Sequence, residues 1–502
     1  MNLFELLAGE DNHPALVTPD RASLTYKQLR ENVIQLVSQL NSFGLKQGER
    51  IAIAMTNGSP MAISFLAAAL SGTAAPLNPK YKQEEFAFYY EDTQAKALIT
   101  LSELPEAAIA AATPNMKLIN ARVNTDGSLS FELVKTPSKS TESLNTDSPS
   151  LDDVAMILHT SGTTSRPKRV PIRHRNLIAS AKNIIGAYSL SADDTTLCLM
   201  PLFHIHGLVG CLLATLASGG TLVCPNGFNA LEFWKLVANF KPTWYSAAPT
   251  MHQTILARAS RNTEIVKANP FRFIRSSSAP LPPIIIEQLE ETLNTPVLES
   301  YSMTEASHLM TTNPLPPKVR KPGTVGYGFG VEVGIMDAEG SLLSQGSLGE
   351  VVVKAPNVID GYENNPEANA TAFVDGWFRT GDQGVLDEDG YLRLTGRIKE
   401  LINRGGEKIS PLEVDDVLLR HPAVAEALAF AVPHKSLGED IHAAVVLKVE
   451  VGEKELLAHC STMLADFKIP KQIHILEQLP RGATGKLQRL AMAKLLNVGS
   501  RE

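Results

Sequence analysis

The chain has 502 residues, a formal net charge of −7 and an ordinary share of charged residues, 20%. This length exceeds what a single hydrophobic core normally holds, so about two or three domains are expected. The mildly negative charge, the absence of a long Lys/Arg run and the absence of an apolar stretch of ~20 residues argue against nucleic acid or a membrane as the main partner.

The ends of the chain and its cysteines are typical of a cytoplasmic protein. Residues 1–5 carry no basic stretch, so no secretory signal is expected, and residues 499–502 do not form a peroxisomal Ser-Lys-Leu tail. The cysteines are few and irregularly spaced, which predicts reduced and mostly buried thiols: Cys198, Cys211, Cys224 and Cys460.

The N-terminal part alternates between helical and strand patterns. Apolar residues recur at helical spacing over 25–43, and further helices are predicted at 60–70 and 84–91. Strands are predicted at 50–55, 74–77 and 97–100, and an exposed connection at 136–153. This alternation predicts a mainly parallel sheet that is covered by helices on both faces.

The alternation resumes with an apolar strand at 154–158. Helices are predicted at 176–188 and 208–217, and strands at 196–200, at 221–224 and ending within 244–250 and 273–278. Ligands of open parallel sheets bind at the carboxyl ends of the strands, so the loops that follow these strands are expected to surround one pocket.

The C-terminal third changes character. Short apolar runs with turns over 324–353 predict a β-rich subdomain, and a smaller unit after Arg397 mixes helices at 411–419 and 454–464 with strands at 424–432, 442–449 and 472–476. The predicted fold is therefore α/β. A large N-terminal domain of doubly wound sheets (1–396, β-rich from about 324) precedes a small mobile α+β domain (400–502), with a hinge at 397–399.

Residues 158–168 bring hydroxyl groups, a glycine and two cations into one short loop after a strand. Such a loop can direct N–H groups, hydroxyls and a lysine toward a polyphosphate, although an isolated Ser/Thr/Gly run is more often a solvated turn. Neither the Walker spacing nor a G-x-G-x-x-G opening a helix is present. The candidate phosphate-binding residues are Thr160, Ser161, Gly162, Thr163, Thr164 and Lys168.

This loop resembles the phosphate loop of the acyl-adenylate-forming enzymes, which include acyl-CoA synthetases, firefly luciferases and peptide-synthetase adenylation domains. The departure is Arg169, where that family usually has glycine, and it alters loop mobility or adds a charge near the phosphates. Four further stretches match the family in its order: 301–305, 376–382, 396–410 and 479–486. Each is weak alone, since random surface strings, Asx turns and charged linkers look similar.

The resemblance implies roles in ATP binding. Glu305 would hold Mg²⁺ through water, because Mg²⁺ favours a carboxylate together with phosphate oxygens. Thr304 would donate to the α-phosphate or the acyl oxygen, and Tyr301 would stack on adenine. Asp382 would accept both ribose hydroxyls, with Arg397 paired to the ribose. Three more residues are assigned to the ATP site: Ser278, Ala279 and Glu299.

The resemblance also implies a division of labour in the small domain. Lys486 would bridge the carboxylate and the α-phosphate, where a cation offsets the repulsion between the two anions. Gly405 and Gly406 would let the backbone approach the thiol arm of CoA. Because these groups serve different half-reactions, the domain is expected to turn about Lys399 between them.

Residues 307–316, together with 203–207 and 275–279, resemble the oxalyl-CoA synthetases of plants and fungi. Oxalate has a second carboxylate that needs partners inside its pocket, and His308, Ser276 and His206 are the predicted donors. His204 would be the aromatic gate of the CoA channel. Two plainer readings remain open: His308 can be satisfied within the fold, and His204 with His206 can bind a metal, although no third ligand is evident.

The predicted function is an AMP-forming acid–CoA ligase, a monomer or homodimer that uses ATP, CoA and Mg²⁺, with oxalate as the acid. Alternatives are a CoA ligase for a medium-chain or aryl acid such as coumarate, an adenylation enzyme that loads a carrier protein, and a non-catalytic nucleotide-binding protein. The lack of a carrier domain after Lys486 disfavours the enzyme that loads a carrier protein. The joint presence of Lys486, Glu305 and Asp382 disfavours the non-catalytic protein.

Overall fold

The computed structural model describes residues 2–19, 21–101, 105–136, 148–160, 167–481 and 487–498. The α-helices are Tyr26–Ser42, Ser59–Ser71, Gln83–Thr93, Glu106–Ala111, His174–Tyr188, Ile205–Gly207, Ala214–Ala217, Phe233–Phe240, Pro249–Ala259, Thr263–Ala268, Pro283–Leu293, Pro366–Ala372, Pro411–Leu419, Glu453–Met463 and Met492–Leu495. A π-helix covers Leu208–Leu213, and 3₁₀ turns cover Leu3–Leu6, Ser260–Asn262, Ile398–Glu400, Asp466–Lys468 and Arg489–Ala491. No helix in these ranges is long and apolar enough to cross a membrane.

The largest sheet is parallel in its middle and antiparallel at both edges. Its strands lie in the order Tyr327–Gly328, His308–Thr312, Val297–Met303, Phe273–Ser276, Trp244–Ala247, Thr195–Cys198, Thr221–Val223, Pro14–Val17 and Leu24–Thr25. The carboxyl ends of the central parallel strands therefore meet at one edge, beside the hairpin formed by Val297–Met303 and His308–Thr312.

The second sheet has the same plan. Its strands lie in the order Leu129–Lys135, Lys117–Val123, Ala97–Leu101, Arg50–Ile53, Thr73–Pro76, Val154–Thr160 and Lys168–Arg173. The last two strands form an antiparallel hairpin, so residues 161–167 connect its arms. The sequence predicted the first arm but not this pairing.

Two smaller sheets follow in the chain. One contains Glu332–Met336, Gly349–Lys354, Trp377–Leu386, Phe373–Val374 and Leu392–Arg397. The other contains Glu407–Ile409, Ile402–Arg404, Gly438–Leu447, Val424–His434 and Gln472–Ile475. The second of them has its own hydrophobic cluster with Pro411–Leu419 and Glu453–Met463, separate from the main core. A large N-terminal α/β part and a small C-terminal part are thus present, as predicted.

Helices between the two large sheets form the core. Every residue of Ser59–Ser71 is buried, as expected for a helix that is apolar on all sides. It packs on Tyr26–Ser42, whose first turn is closed by a capping box in which Thr25 Oγ1 accepts from Gln28 N and Thr25 N donates to Gln28 Oε1. His174–Tyr188 contacts strands of both sheets and so packs between them.

Candidate active site

One β-hairpin carries residues predicted for both the nucleotide and the acid. Val297–Met303 pairs with His308–Thr312, and Met303 stands opposite His308. Tyr301 lies on the first strand, and Thr304 and Glu305 lie in the turn between the strands. The hairpin therefore fixes the distance between the predicted ATP and acyl residues through backbone hydrogen bonds rather than through flexible side chains.

The phosphate hairpin approaches this turn through its second strand. Thr160 pairs with Lys168 across the base of the hairpin. The Lys168 ammonium lies 4.4 Å from the ring centroid of Tyr362, and the Tyr362 hydroxyl donates to Glu305 Oε1 at 2.8 Å. Burial lowers the pKa of Lys168, the positive charge of Lys399 adds to this, and the Glu305 carboxylate opposes it. Ser161, Gly162, Thr163 and Thr164 lie outside the described residues.

Asp382, on a strand of the β-rich part, contacts the hairpin that carries Tyr301. Its carboxylate accepts from the Tyr301 hydroxyl and lies 3.1 Å from Arg397 Nε, on the facing strand. The Asp382 carboxylate, and more weakly Glu305, raise the pKa of Arg397. Lys168, Glu305 and Asp382, which are far apart in sequence, therefore meet in one polar region.

Arg169 does not add a free charge to the phosphate loop. Its guanidinium donates to Asp92 O, and its Nε lies 3.6 Å from Asp92 Oδ2 and 3.9 Å from Glu363 Oε2. His159 Nε2 contacts the same Asp92 carboxylate at 2.9 Å. The side chain in the place of the usual glycine is thus neutralised by two acidic groups and ties the hairpin to the helix Gln83–Thr93.

The predicted acyl residues form a buried histidine cluster. The rings of His206 and His308 stack with centroids 5.0 Å apart. His206 Nδ1 lies 2.9 Å from Ser278 Oγ, and His206 Nε2 lies 2.6 Å from Ser246 Oγ. Both nitrogens of His206 are therefore occupied, whereas His308 Nδ1 is buried with no hydrogen-bond partner among the described residues.

An arginine that the sequence analysis did not single out lies against this cluster. The Arg275 side chain is 0% exposed, donates to Ser300 Oγ at 3.1 Å, and places Nη2 2.5 Å from His308 Nε2. Among the described residues, its Nη1 has no hydrogen-bond partner and no carboxylate lies within ion-pair distance. A buried, permanently charged guanidinium without an anion is costly, so this position favours a bound anion.

The histidines stay neutral beside this cation. Burial lowers the pKa of His308 well below its usual value, and Arg275 and then His206 lower it further. Burial is also the main cause of the lowered pKa of His206. Because Arg275 can only donate, His308 Nε2 must accept, and the ring proton then sits on Nδ1. His308 therefore presents a free N–H donor.

The other predicted residues occupy varied positions. Ser276 Oγ is buried at the end of its strand and has no hydrogen-bond partner in the described part of the chain. Ala279 is exposed, and the ring of the partly exposed His204 lies 5.0 Å from that of Phe203. Glu299 accepts from Leu281 N at 3.1 Å, and burial raises its pKa to about 8.

The predicted hinge and CoA residues lie where the two parts of the chain join. Lys399 is in the 3₁₀ turn Ile398–Glu400, directly before the C-terminal sheet. Gly405 and Gly406, with φ of +63° and +97°, form the turn between Ile402–Arg404 and Glu407–Ile409. These angles favour glycine, since a Cβ is strained there. Lys486 lies outside the described residues.

Comparison with known proteins identifies the family. Residues 4–363 match the AMP-binding enzymes, and residues 413–486 match the C-terminal domain of AMP-binding enzymes. The chain belongs to the AMP-binding enzyme family. A probable CoA ligase of Humulus lupulus is 46% identical to this AMP-binding enzyme over 96% of the chain and 93% of the relative, and an oxalate–CoA ligase of Arabidopsis thaliana is 44% identical over 96% and 95%.

The fold of this AMP-binding enzyme agrees with a solved relative. The ATP-bound structure of MatB from Rhodopseudomonas palustris superimposes with a TM-score of 0.88 at 29% identity, covering 99% of both chains. Together, the family and the relatives make the protein an ATP-dependent, AMP-forming acid–CoA ligase, with a carboxylic acid, ATP and CoA as its substrates.

Two groups of this AMP-binding enzyme were missed from the sequence. Arg275 stands in a strand, where a single arginine usually faces solvent. Gly210 lies in a π-helix, and a Cβ there would be 2.5 Å from His308 Nε2 and 3.0 Å from Arg275 Nη1. The π-turn was predicted as an ordinary helix, but such turns often mark functional sites and could have drawn attention to Gly210.

Proposed function

We propose that the acid is oxalate. The observation that carries this proposal is the buried Arg275 guanidinium beside His308, because Arg275 Nη1 and His308 Nδ1 both lack a hydrogen-bond partner among the described residues. A dicarboxylate would bring a second negative charge to these donors, and pairs of guanidinium and carboxylate are among the strongest charge-assisted contacts. A fatty or aryl acid would leave all of them unpaired.

The size of the cluster supports a small acid. Gly210 lies against both His308 and Arg275, and His206 stacks on His308. These groups surround His308 with polar atoms, which suits a small charged acid better than a long acyl chain. In this arrangement His206 orients His308, and Arg275 takes the contact to the substrate that the sequence analysis gave to His206.

The adenylation step requires one carboxylate of the acid to attack the α-phosphorus of ATP. An O–P bond forms, the bond from the α-phosphorus to the bridging oxygen breaks, and pyrophosphate leaves. We assign Lys168 and the phosphate loop to the phosphates, Asp382 and Arg397 to the ribose, and Lys486 to the reacting oxygens. The hard oxygen donors of Glu305, beside Lys168, suit Mg²⁺, which would neutralise phosphate charge when bound.

In the second step the sulfur of CoA attacks the acyl carbon and AMP leaves. We assign Gly405 and Gly406 to the thiol arm and His204 to the entrance for the thiol. Because Lys486 and the glycine turn lie in the same small part of the chain, a rotation about Lys399 would exchange them at the acyl group.

Replacing His308 with alanine tests the acid assignment. We expect the KM for oxalate to rise at least about tenfold, because a buried donor to a carboxylate is lost, while the KM for ATP changes less than about twofold. Steady-state pyrophosphate release with each substrate varied separately measures both values. A rise in the two KM values by the same factor would show a general disturbance of the site and contradict the assignment.

A further inference from the structure

The connection 355–363, between the strand Gly349–Lys354 and the helix Pro366–Ala372, contacts both halves of the site. The buried Asn176 side chain, in the helix His174–Tyr188, fixes the backbone of this connection. Its Nδ2 donates to Pro356 O at 2.8 Å and to Val358 O at 3.0 Å. These two bonds stand on either side of Asn357, whose side chain is 0% exposed. The connection is thus a fixed element rather than a loose loop.

Asn357 is hydrogen-bonded to the turn that contains His308. Its Nδ2 donates to Ala306 O at 2.7 Å and to Leu309 O at 2.9 Å. The two residues between these carbonyls, Ser307 and His308, have φ of +49° and +109°. Non-glycine residues rarely adopt such angles and persist in them only where neighbouring groups hold the backbone. One amide therefore stabilises the strained pair that carries the free Nδ1–H of His308.

Tyr362, at the other end of the same connection, contacts Glu305. Its hydroxyl donates to Glu305 Oε1 at 2.8 Å, its ring lies under the Lys168 ammonium, and Ile359 N donates to Glu305 O at 2.9 Å. Tyr362 is itself fixed, because its N–H and C=O both bond to the side-chain amide of Asn369. Next to it, Glu363 N donates to Arg169 O at 3.1 Å and so reaches the phosphate hairpin.

We infer that the connection 355–363 acts as a strap with two positioning residues, Asn357 for the acid through His308 and Tyr362 for the metal and nucleotide through Glu305. The hydrogen bonds of the Asn357 side chain form its first arm, and the contacts of the Tyr362 side chain form its second arm. The inference rests on the roles proposed above for His308 and Glu305. The two arms use different side chains and different acceptors, so a substitution in one arm is expected to leave the contacts of the other intact. Loss of one arm affects one substrate, because the other arm still holds its own part of the hairpin.

The test compares Asn357→Leu, which keeps the branch at Cγ but removes the donor, with Tyr362→Phe, which keeps the ring but removes the hydroxyl. We expect Asn357→Leu to raise the KM for the acid about tenfold and to leave the gain in nucleotide affinity from Mg²⁺ unchanged. We expect Tyr362→Phe to reduce that gain about tenfold and to leave the acid KM unchanged. Calorimetric titration with α,β-methylene-ATP, with and without Mg²⁺, measures the gain without turnover.

Asn32→Leu is the matched control, because Asn32 is also a buried asparagine with two backbone hydrogen bonds, from Nδ2 to Leu129 O at 2.7 Å and from Leu129 N to Oδ1 at 2.8 Å, and it contacts neither arm. It should move neither quantity. His308→Ala and Glu305→Gln serve as references. If these references shift the acid KM and the Mg²⁺-linked affinity but the strap variants do not, the strap is overturned while the proposed function stands. If each strap variant shifts both quantities equally, the separation into two arms is wrong.

Discussion

Replacing Arg275 with methionine is expected to lower kcat/KM for oxalate by about a hundredfold or more. Arg275 supplies the only permanent charge that the described residues place in the histidine cluster, and its Nη1 has no hydrogen-bond partner among them. Truncating one member of a buried charge pair typically costs about 2–5 kcal/mol, which corresponds to this loss. Methionine fills a similar length without a charge, so the fold itself should tolerate the change.

The measurement is kcat/KM for oxalate, with the thermal midpoint recorded alongside. Arg272→Met is the matched control, because Arg272 lies three positions earlier and pairs with Asp194 at 3.0 Å, away from the cluster. It should lower the thermal midpoint without changing oxalate use. A folded Arg275→Met enzyme with normal oxalate kinetics would show that the guanidinium has only a structural role beside His308.

Replacing Lys486 with alanine is expected to slow the adenylation step by about a hundredfold or more and to spare thioester formation. Removing one preorganised group that stabilises charge in the transition state typically has an effect of this size. ATP–pyrophosphate exchange reports the first step, and release of AMP from a supplied acyl adenylate with CoA reports the second.

Lys471→Ala provides the comparison for Lys486. Lys471 is exposed in the same small part of the chain, and its backbone N–H rather than its side chain pairs with Ile441 O. This variant should keep both half-reactions. Equal losses of exchange and thioester formation in Lys486→Ala would contradict the division of labour between Lys486 and the turn at Gly405 and Gly406.

Patterns that depend on local chemistry predicted the fold well. The apolar spacing over 25–43 corresponds to the helix Tyr26–Ser42. The helix predicted at 411–419 has the same bounds in the structure, Pro411–Leu419. Alternating strands and helices also predicted the large α/β part. In each case one face or run of apolar residues determines the element, so neighbours along the chain suffice.

Features that depend on distant partners were not predictable in this way. The pairing of Thr160 with Lys168 makes the phosphate loop the end of an antiparallel hairpin, but turn composition alone does not show which strands pair. Arg275 matters because Ser300 and His308 surround it, and these residues are adjacent only in the folded sheet. Asn357 and Tyr362 lie in none of the stretches that were singled out from the sequence, and their proposed roles rest on what they contact.

The most direct test of the account is a comparison of acids in the unmodified enzyme. Pyrophosphate release is measured with oxalate, hexanoate and 4-coumarate under the same ATP, CoA and Mg²⁺ conditions. We predict a kcat/KM for oxalate about a hundredfold above either monocarboxylate, because only oxalate carries a second carboxylate that could pair with Arg275 and His308. A higher kcat/KM for hexanoate or 4-coumarate than for oxalate would contradict the assignment of the acid.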